Sequence, residues 1–161
     1  MAANYFLKFT PEVKGGESKQ KGYEGQLEII SFSWGVSQAG GFSYGGGGGV
    51  AKANVQDITV SFRQCDASPL LMQHCASGKH LDSALLTCLK AGEEQKKYLE
   101  IQIEDVVISS YQTGGSGDEM PIESMSMNFA KVTQSYFVQD DKGVTKAGNK
   151  GVWDQATASK G

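Results

Sequence analysis

Leu27-Glu28-Ile29-Ile30-Ser31-Phe32-Ser33-Trp34-Gly35-Val36-Ser37-Gln38 is the stretch that decides the fold class. Ile30, Phe32, Trp34 and Val36 fall on one side of it, and Ser31, Ser33, Gly35 and Ser37 on the other. A period of two belongs to a strand with one buried face; a helix repeats about every 3.6 residues. The rhythm returns downstream. Ile58, Val60 and Phe62 alternate with Asp57, Thr59 and Ser61 within Val50–Arg63. Leu99, Ile101 and Ile103 alternate with Glu100, Gln102 and Glu104 within Lys97–Thr113, and Met125, Met127 and Phe129 share a face within Ile122–Gln139. Further strands are expected over Tyr5–Thr10, His80–Ala91 and Lys150–Gln155, with a polar loop over Pro11–Gly25. Asp105 followed by Val106-Val107-Ile108 breaks the alternation and predicts a bulge.

One helix interrupts the strands. Ser68 suits an N-cap, Pro69 the first helical position and Gly78 the stop, with Leu70, Leu71, His74 and Cys75 sharing one side. At about three turns it is marginal alone and must dock on a sheet. Many strands, one helix and no alternation of strand and helix mean a mainly all-β domain, a barrel or a sandwich. No domain boundary is evident, so residues 1–161 read as one domain with a polar C-terminal tail.

Directly after the deciding stretch comes a glycine-rich excursion. Between Gly35 and Gly49, eight of fifteen residues are glycine, five of them consecutive. Interior glycine costs a helix about 1 kcal/mol relative to alanine and gives a strand no side chain to pack. Phe42 and Tyr44 sit in its middle, which a plain linker does not need. The excursion therefore reads as a segment whose partner lies outside its own domain.

Composition excludes several functions. The net charge is −3, the pI about 5.4, and Arg63 is the only arginine, so no basic patch serves nucleic acid. No stretch approaches the ~20 apolar residues of a membrane helix, and the N-terminus lacks the basic start and apolar run of a signal peptide. The expectation is synthesis in the cytoplasm and, if the protein leaves the cell, a route that reads no cleaved signal. Cys65, Cys75 and Cys88 are odd in number and not spaced as metal ligands, so they read as reduced thiols.

The chemical motifs are weak. Gly41-Phe42-Ser43-Tyr44-Gly45 matches the serine-hydrolase elbow, which requires a strand before the serine and a helix after it. Asp57 or Asp66 with His74 or His80 would have to complete the triad, but glycines and a strand follow Ser43, and the match is a coincidence of composition. A phosphate loop needs Gly-Lys-Ser/Thr opening a helix, whereas Lys52 precedes Ala53 and a strand. His74 and His80 lack companion zinc ligands nearby. Asp118, Glu119 and Glu123 form an acidic cluster read as a solvated loop, with a weak cation site as the alternative. No catalytic residue, cofactor or metal is expected. The polar outer faces carry more weight: Thr59, Ser61, Glu100, Gln102, Glu104, Ser126 and Asn128 lie on long strands whose edges must be paired or covered. A head-to-tail ring of identical subunits is one way to cover them, and stacked rings make a tube.

Three stretches together resemble one family. They are Ile30-Ser31-Phe32-Ser33-Trp34-Gly35-Val36-Ser37-Gln38; Ala67-Ser68-Pro69-Leu70-Leu71 through Gly78-Lys79-His80 to Ala84-Leu85-Leu86-Thr87 and Lys90-Ala91-Gly92; and Tyr98-Leu99-Glu100-Ile101, Glu104-Asp105-Val106, Gly114-Gly115-Ser116-Gly117-Asp118-Glu119 with Met127-Asn128-Phe129-Ala130-Lys131-Val132. Taken together, over nearly the whole chain, they look like the haemolysin-coregulated protein family, which supplies the tube of bacterial type VI secretion. The resemblance implies a compact β-barrel of two packed antiparallel sheets with one short flanking α-helix. It implies a homohexameric ring, rings stacked into a secreted tube, and partners in a spike protein, a contractile sheath and effector proteins carried in the lumen. It places a protruding ring-to-ring loop at about 38–50, naming Gln38, Gly41, Phe42, Tyr44, Gly47 and Val50 as stacking residues. The rival reading is a monomeric barrel binding a small ligand inside. Against it, Ile30, Phe32, Trp34, Ile58, Val60, Leu99, Ile101, Met127 and Phe129 suffice to fill a small barrel.

Overall fold

The computed structural model describes residues 4–38, 53–92 and 94–160. The elements are β1 (Tyr5–Thr10), β2 (Leu27–Ser33), β3 (Val36–Ser37), β4 (Asn54–Val55), β5 (Ile58–Arg63), α1 (Ser68–Ser77), β6 (His80–Leu89), β7 (Lys97–Gly114), β8 (Ile122–Gln139) and β9 (Thr145–Asp154). Seven strands form one antiparallel sheet in the order β5-β2-β1-β6-β7-β8-β9, and β5 also pairs with β8. That last pairing closes a barrel and leaves β9 outside it, on the far half of β8. The all-β expectation with one short helix is the observed architecture.

Alternation puts the expected side chains inside. Ile58, Val60, Phe62, Ile101, Ile103, Met125, Met127 and Phe129 are all buried in one cluster. Each such side chain stabilises by about 1.5–3 kcal/mol, an upper bound for a compact unfolded chain. The outer face is polar and cross-linked. Ser31 and Ser61 hydroxyls lie 2.5 Å apart, and those of Thr59 and Ser126 2.9 Å apart.

β2 departs from the expectation. Ile29 pairs with Phe62 but Ser31 with Ser61, so one extra residue is accommodated at Ile30. Leu27 and Ile29 are therefore the buried residues, and Ile30 stands 49% exposed. After the bulge Phe32 rejoins the core face opposite Val60, but only half-buried at the barrel's rim.

The expected bulge at Asp105 is also corrected. The pairings of β7 keep register on either side of it: Glu104 with Ser83 and Lys131, Val106 with Leu81 and Phe129. Instead Asp105 takes a left-handed backbone, φ 56°, which aspartate tolerates better than most residues. The buried face moves from Ile101 and Ile103 to Val106 and Ile108. The register shift in β7 comes later, between Ile108 and Ser110.

Helix α1 begins at Ser68 with Pro69 in its first turn and stops at Gly78, whose φ of 65° only glycine adopts freely. The N-cap is Ala67, not Ser68. Ser68 is buried, as is Leu71, while Cys75 packs against the core. Leu70 is 39% exposed, and His74 is half-buried with its Nδ1 2.7 Å from the Leu70 carbonyl oxygen, so Leu70 drops out of the expected docking face. The segment over 11–25 is a mostly exposed loop, as expected, but it is tied down at a few points. Its Val13 and Ser18 are buried, and Tyr23 stacks on Phe6 with ring centroids 5.0 Å apart.

Candidate assembly surfaces

The glycine-rich excursion leaves and re-enters the fold through a narrow stem. β3 and β4 pair Val36 with Val55 and Ser37 with Asn54, and the Gln56 N–H donates to the Gly35 carbonyl at 2.9 Å. Val36 is 54% exposed, and Ser37, Gln38 and Asn54 are exposed too. Val55, by contrast, is half-buried and packs against the core, so the stem is anchored on that side and exposed on the other. Of the expected stacking residues, Gln38 sits at its tip. Gly41, Phe42, Tyr44, Gly47 and Val50 lie outside the described residues, as does Ser43.

Beside the stem the barrel interior opens outward. Beyond the closure with β5, β8 pairs with β7 on one side and β9 on the other: Val132 faces Ile103 and Trp153, Gln134 faces Ile101 and Gly151, and Tyr136 faces Leu99. Ile101, Ile103 and Val132 are buried, whereas Tyr136 is 46% exposed. The core face thus continues past the point where the barrel closes. It ends in an open slot of about 520 Å³, lined by Trp34, Val36, Val132, Tyr136, Val152 and Trp153 together with the polar Gln134, Asn149 and Lys150. The chain has two tryptophans, and both line this slot. Among the described residues no strand pairs with the outer edge of β9.

The geometry of β9 depends on one glycine. Between the pairs Ser135–Lys150 and Phe137–Ala147, β9 carries one residue more than β8. A Cβ on Gly148 would lie 2.9 Å from the Tyr136 carbonyl oxygen and 3.0 Å from Val138 Cγ2. Only glycine permits that approach without displacing β8.

The acidic cluster read from the sequence does not exist as such. Asp118 and Glu119 are exposed, but Glu123 is fully buried on β8. The Ser68 and Tyr111 hydroxyls donate to its two carboxyl oxygens, tying α1 and β7 to β8. Burial, then the hydrogen bond to Glu123, pushes the Tyr111 hydroxyl up to about 12. A second carboxylate that the sequence did not single out for structure is Asp57. It accepts from Ser109 at 2.6 Å and from Asn128 at 2.8 Å, fixing the start of β5 against β7 and β8.

The remaining candidates stay apart. His80 Nδ1 lies 3.1 Å from Asp105. Among the described residues no three His, Cys, Asp or Glu side chains converge as metal ligands. The three thiols are free, and burial pushes that of Cys88 up to about 11. No described helix is long and apolar enough to cross a membrane.

Residues 6–136 match the family model described as "Type VI secretion system effector, Hcp". The chain is 43% identical over 150 residues to protein hcp1 of Pseudomonas aeruginosa, covering 92% of this chain and 91% of that one. Among solved structures it resembles Hcp1 from Salmonella typhimurium, with a TM-score of 0.80 at 28% identity over 99% of both chains. It also shares the fold of a chain described as a type six secretion system protein, with a TM-score of 0.89 at 22% identity over 99% of this chain and 100% of that one. The chain belongs to the Hcp family of type VI secretion, and as a member it is a subunit of the secretion tube.

Proposed function

We propose that this tube subunit works by assembly alone: six copies close head to tail into a ring, and rings stack through the segment at about 38–50. The observation that carries this reading is where the apolar surface goes. The barrel interior is filled by its own side chains, as Val60, Met125 and Met127 at 0% exposure attest, which disfavours an internal ligand. Meanwhile a largely apolar slot opens outward beside β9, whose outer edge pairs with no strand among the described residues. A strand edge left bare is an aggregation hazard unless another chain covers it, and head-to-tail repetition covers it in every copy. Each contact would bury a standard interface, on the order of 1,600 Å².

In this reading residues 1–161 act as one domain. Gln38, Gly41, Phe42, Tyr44, Gly47 and Val50 contact the next ring. Spike, sheath and lumenal effectors of the same system are the other partners, and the protein leaves the cell without a cleaved signal. It has no catalytic residue and uses no cofactor or metal. It binds no nucleic acid and does not insert in a membrane. Deleting Gly45–Gly49 tests the placement of the segment. The variant is expected to keep the wild-type ring mass by light scattering and to change stacking into tubes. Loss of the ring itself would show that the segment belongs to the ring contact instead.

A further inference from the structure

The β8–β9 hairpin outruns the sheet that carries it. The last pair between β7 and β8 at this end is Leu99 with Tyr136, but β8 continues to Gln139, and β9 keeps pairing with it through Phe137–Ala147, Val138–Lys146 and Gln139–Thr145. Residues 137–147 are thus a two-stranded arm with no third strand among the described residues. Two strands alone are marginal in water, so something besides strand pairing must hold the arm in place. The extra residue of β9 at its root bends it, as a bulge does. Its turn is closed on itself: Asp140 Oδ1 accepts from the Lys142 N–H at 2.9 Å and from the Val144 N–H at 2.8 Å.

Two neighbouring lysines hold the arm to the body. Lys97 lays its ammonium 4.4 Å from the centre of the Phe137 ring while pairing with Glu100 at 2.8 Å. Lys96 donates to the Gly143 carbonyl in the turn while pairing with Glu94 at 3.2 Å. Beside these contacts the arm does not pack on the body. An open cleft of about 710 Å³ lies there, lined by Tyr23, Glu94 and both lysines of the body and by residues 142–145 of the arm. Thr145 Oγ1, on the arm side, is buried with no hydrogen-bond partner among the described residues. Close packing would leave neither a cleft nor an orphaned hydroxyl. The contacts that set the pitch of the arm against the body are therefore those of the two lysines.

Alternation decides which face the arm shows. Phe137 turns toward Lys97, and Tyr136 and Val138 turn the other way. These two are 46% and 49% exposed, and Val144 in the turn is 51% exposed. So much bare apolar surface on a short arm marks a contact. Tyr136 also lines the slot, so this face runs on from the surface that ring closure covers. Charge points to the same occupant. Residues 142–150 hold three lysines and no acid while the whole chain has a net charge of −3, so the rest of each copy is acidic and complements the arm.

We propose that Lys96 and Lys97 form a latch that fixes the pitch of the arm, so that its Tyr136–Val138 face meets the next copy in the ring. The lysines act as positioning residues and need not touch that copy. This deepens the ring reading and rests on it. A latch raises affinity by preorganisation, because apparent affinity scales with the fraction of chains whose arm is already in place.

The test is Lys96→Met/Lys97→Met, which keeps the apolar stems and removes the charges. Light scattering across a dilution series reads the ring, and hydrogen exchange on the dissociated chain reads the arm. The expected result is a dissociation midpoint raised on the order of tenfold or more, with faster exchange confined to residues 137–147. Lys96→Arg/Lys97→Arg restores a cation over Phe137 and a donor for Gly143, and should hold the midpoint within about twofold of the parent. A Met variant with the parent's midpoint would overturn the latch and leave the ring reading intact. Faster exchange throughout the barrel would overturn it too, by making the lysines part of the fold and not of the arm. So would an Arg variant as weak as the Met variant. A parent chain that stays at 17.2 kDa at every concentration would overturn the ring reading itself, and the latch with it.

Discussion

The buried carboxyl of Glu123 offers the sharpest energetic test of the fold. Its oxygens each receive one hydroxyl, from Ser68 on α1 and Tyr111 on β7. Tyr111→Phe removes one donor and keeps the ring, so it opens no cavity of consequence. What remains is the cost of an under-satisfied oxygen inside the protein, about 1–3 kcal/mol. For a chain of this size that lowers Tm by roughly 4–8 °C at the middle of the range. Ser68→Ala should cost more. Its oxygen also accepts from the Cys65 N–H at 3.0 Å, and that donor would be orphaned as well. The double variant should fall short of the sum, because both changes strip the same carboxyl.

Urea unfolding at pH 7 measures these differences, with every variant at the same chain concentration so that any assembly contributes equally. A Tyr111→Phe variant within 0.5 kcal/mol of the parent would refute the reasoning. The pH dependence is a second readout. Burial and Glu123 raise the Tyr111 hydroxyl from 10.0 to about 12, so the unfolded chain gives up this proton first. Its contribution to stability is complete below pH 10.0 and is lost as the pH rises to about 12. Tyr111→Phe should remove that part of the alkaline loss.

Two further outcomes follow from single positions. Gly148→Val forces a side chain to within 2.9 Å of the Tyr136 carbonyl, and should destabilise by about 1–3 kcal/mol. Hydrogen exchange should show the loss confined to β9 and its pairing with β8; uniform weakening of the barrel would contradict the local account. Cys88 has no exposed surface and a thiol raised to about 11, whereas Cys65 and Cys75 are partly exposed. At pH 8 a thiol reagent should therefore label Cys88 last, at the rate of unfolding. Rapid labelling of Cys88, read by mass spectrometry of its peptide, would refute its burial.

Most of the fold could be read from alternation, because period two leaves a sequence trace wherever one face is buried. Ile58–Phe62, Leu99–Ile103 and Met125–Phe129 were legible for that reason. Ile30 was not. Ile29 and Ile30 are equally apolar, and a bulge that depends on the pairing with β5 decides which one enters the core. Glu123 was likewise hidden. Near Asp118 and Glu119 it reads as loop, and only the arrival of Ser68 and Tyr111 from distant elements makes its burial tolerable. β9 proved longer than expected, since lysines and glycines at an open edge carry little apolar signal. The slot was legible only in part. Trp34 and Val36 were read as a buried strand face, but that this face opens beside Trp153 depends on how far β8 runs past the closure.

The account stands or falls on assembly. Multi-angle light scattering of the purified chain at micromolar concentration should give six chains of 17.2 kDa, about 103 kDa, or multiples of that mass where rings stack. A single monodisperse species of 17.2 kDa would contradict it.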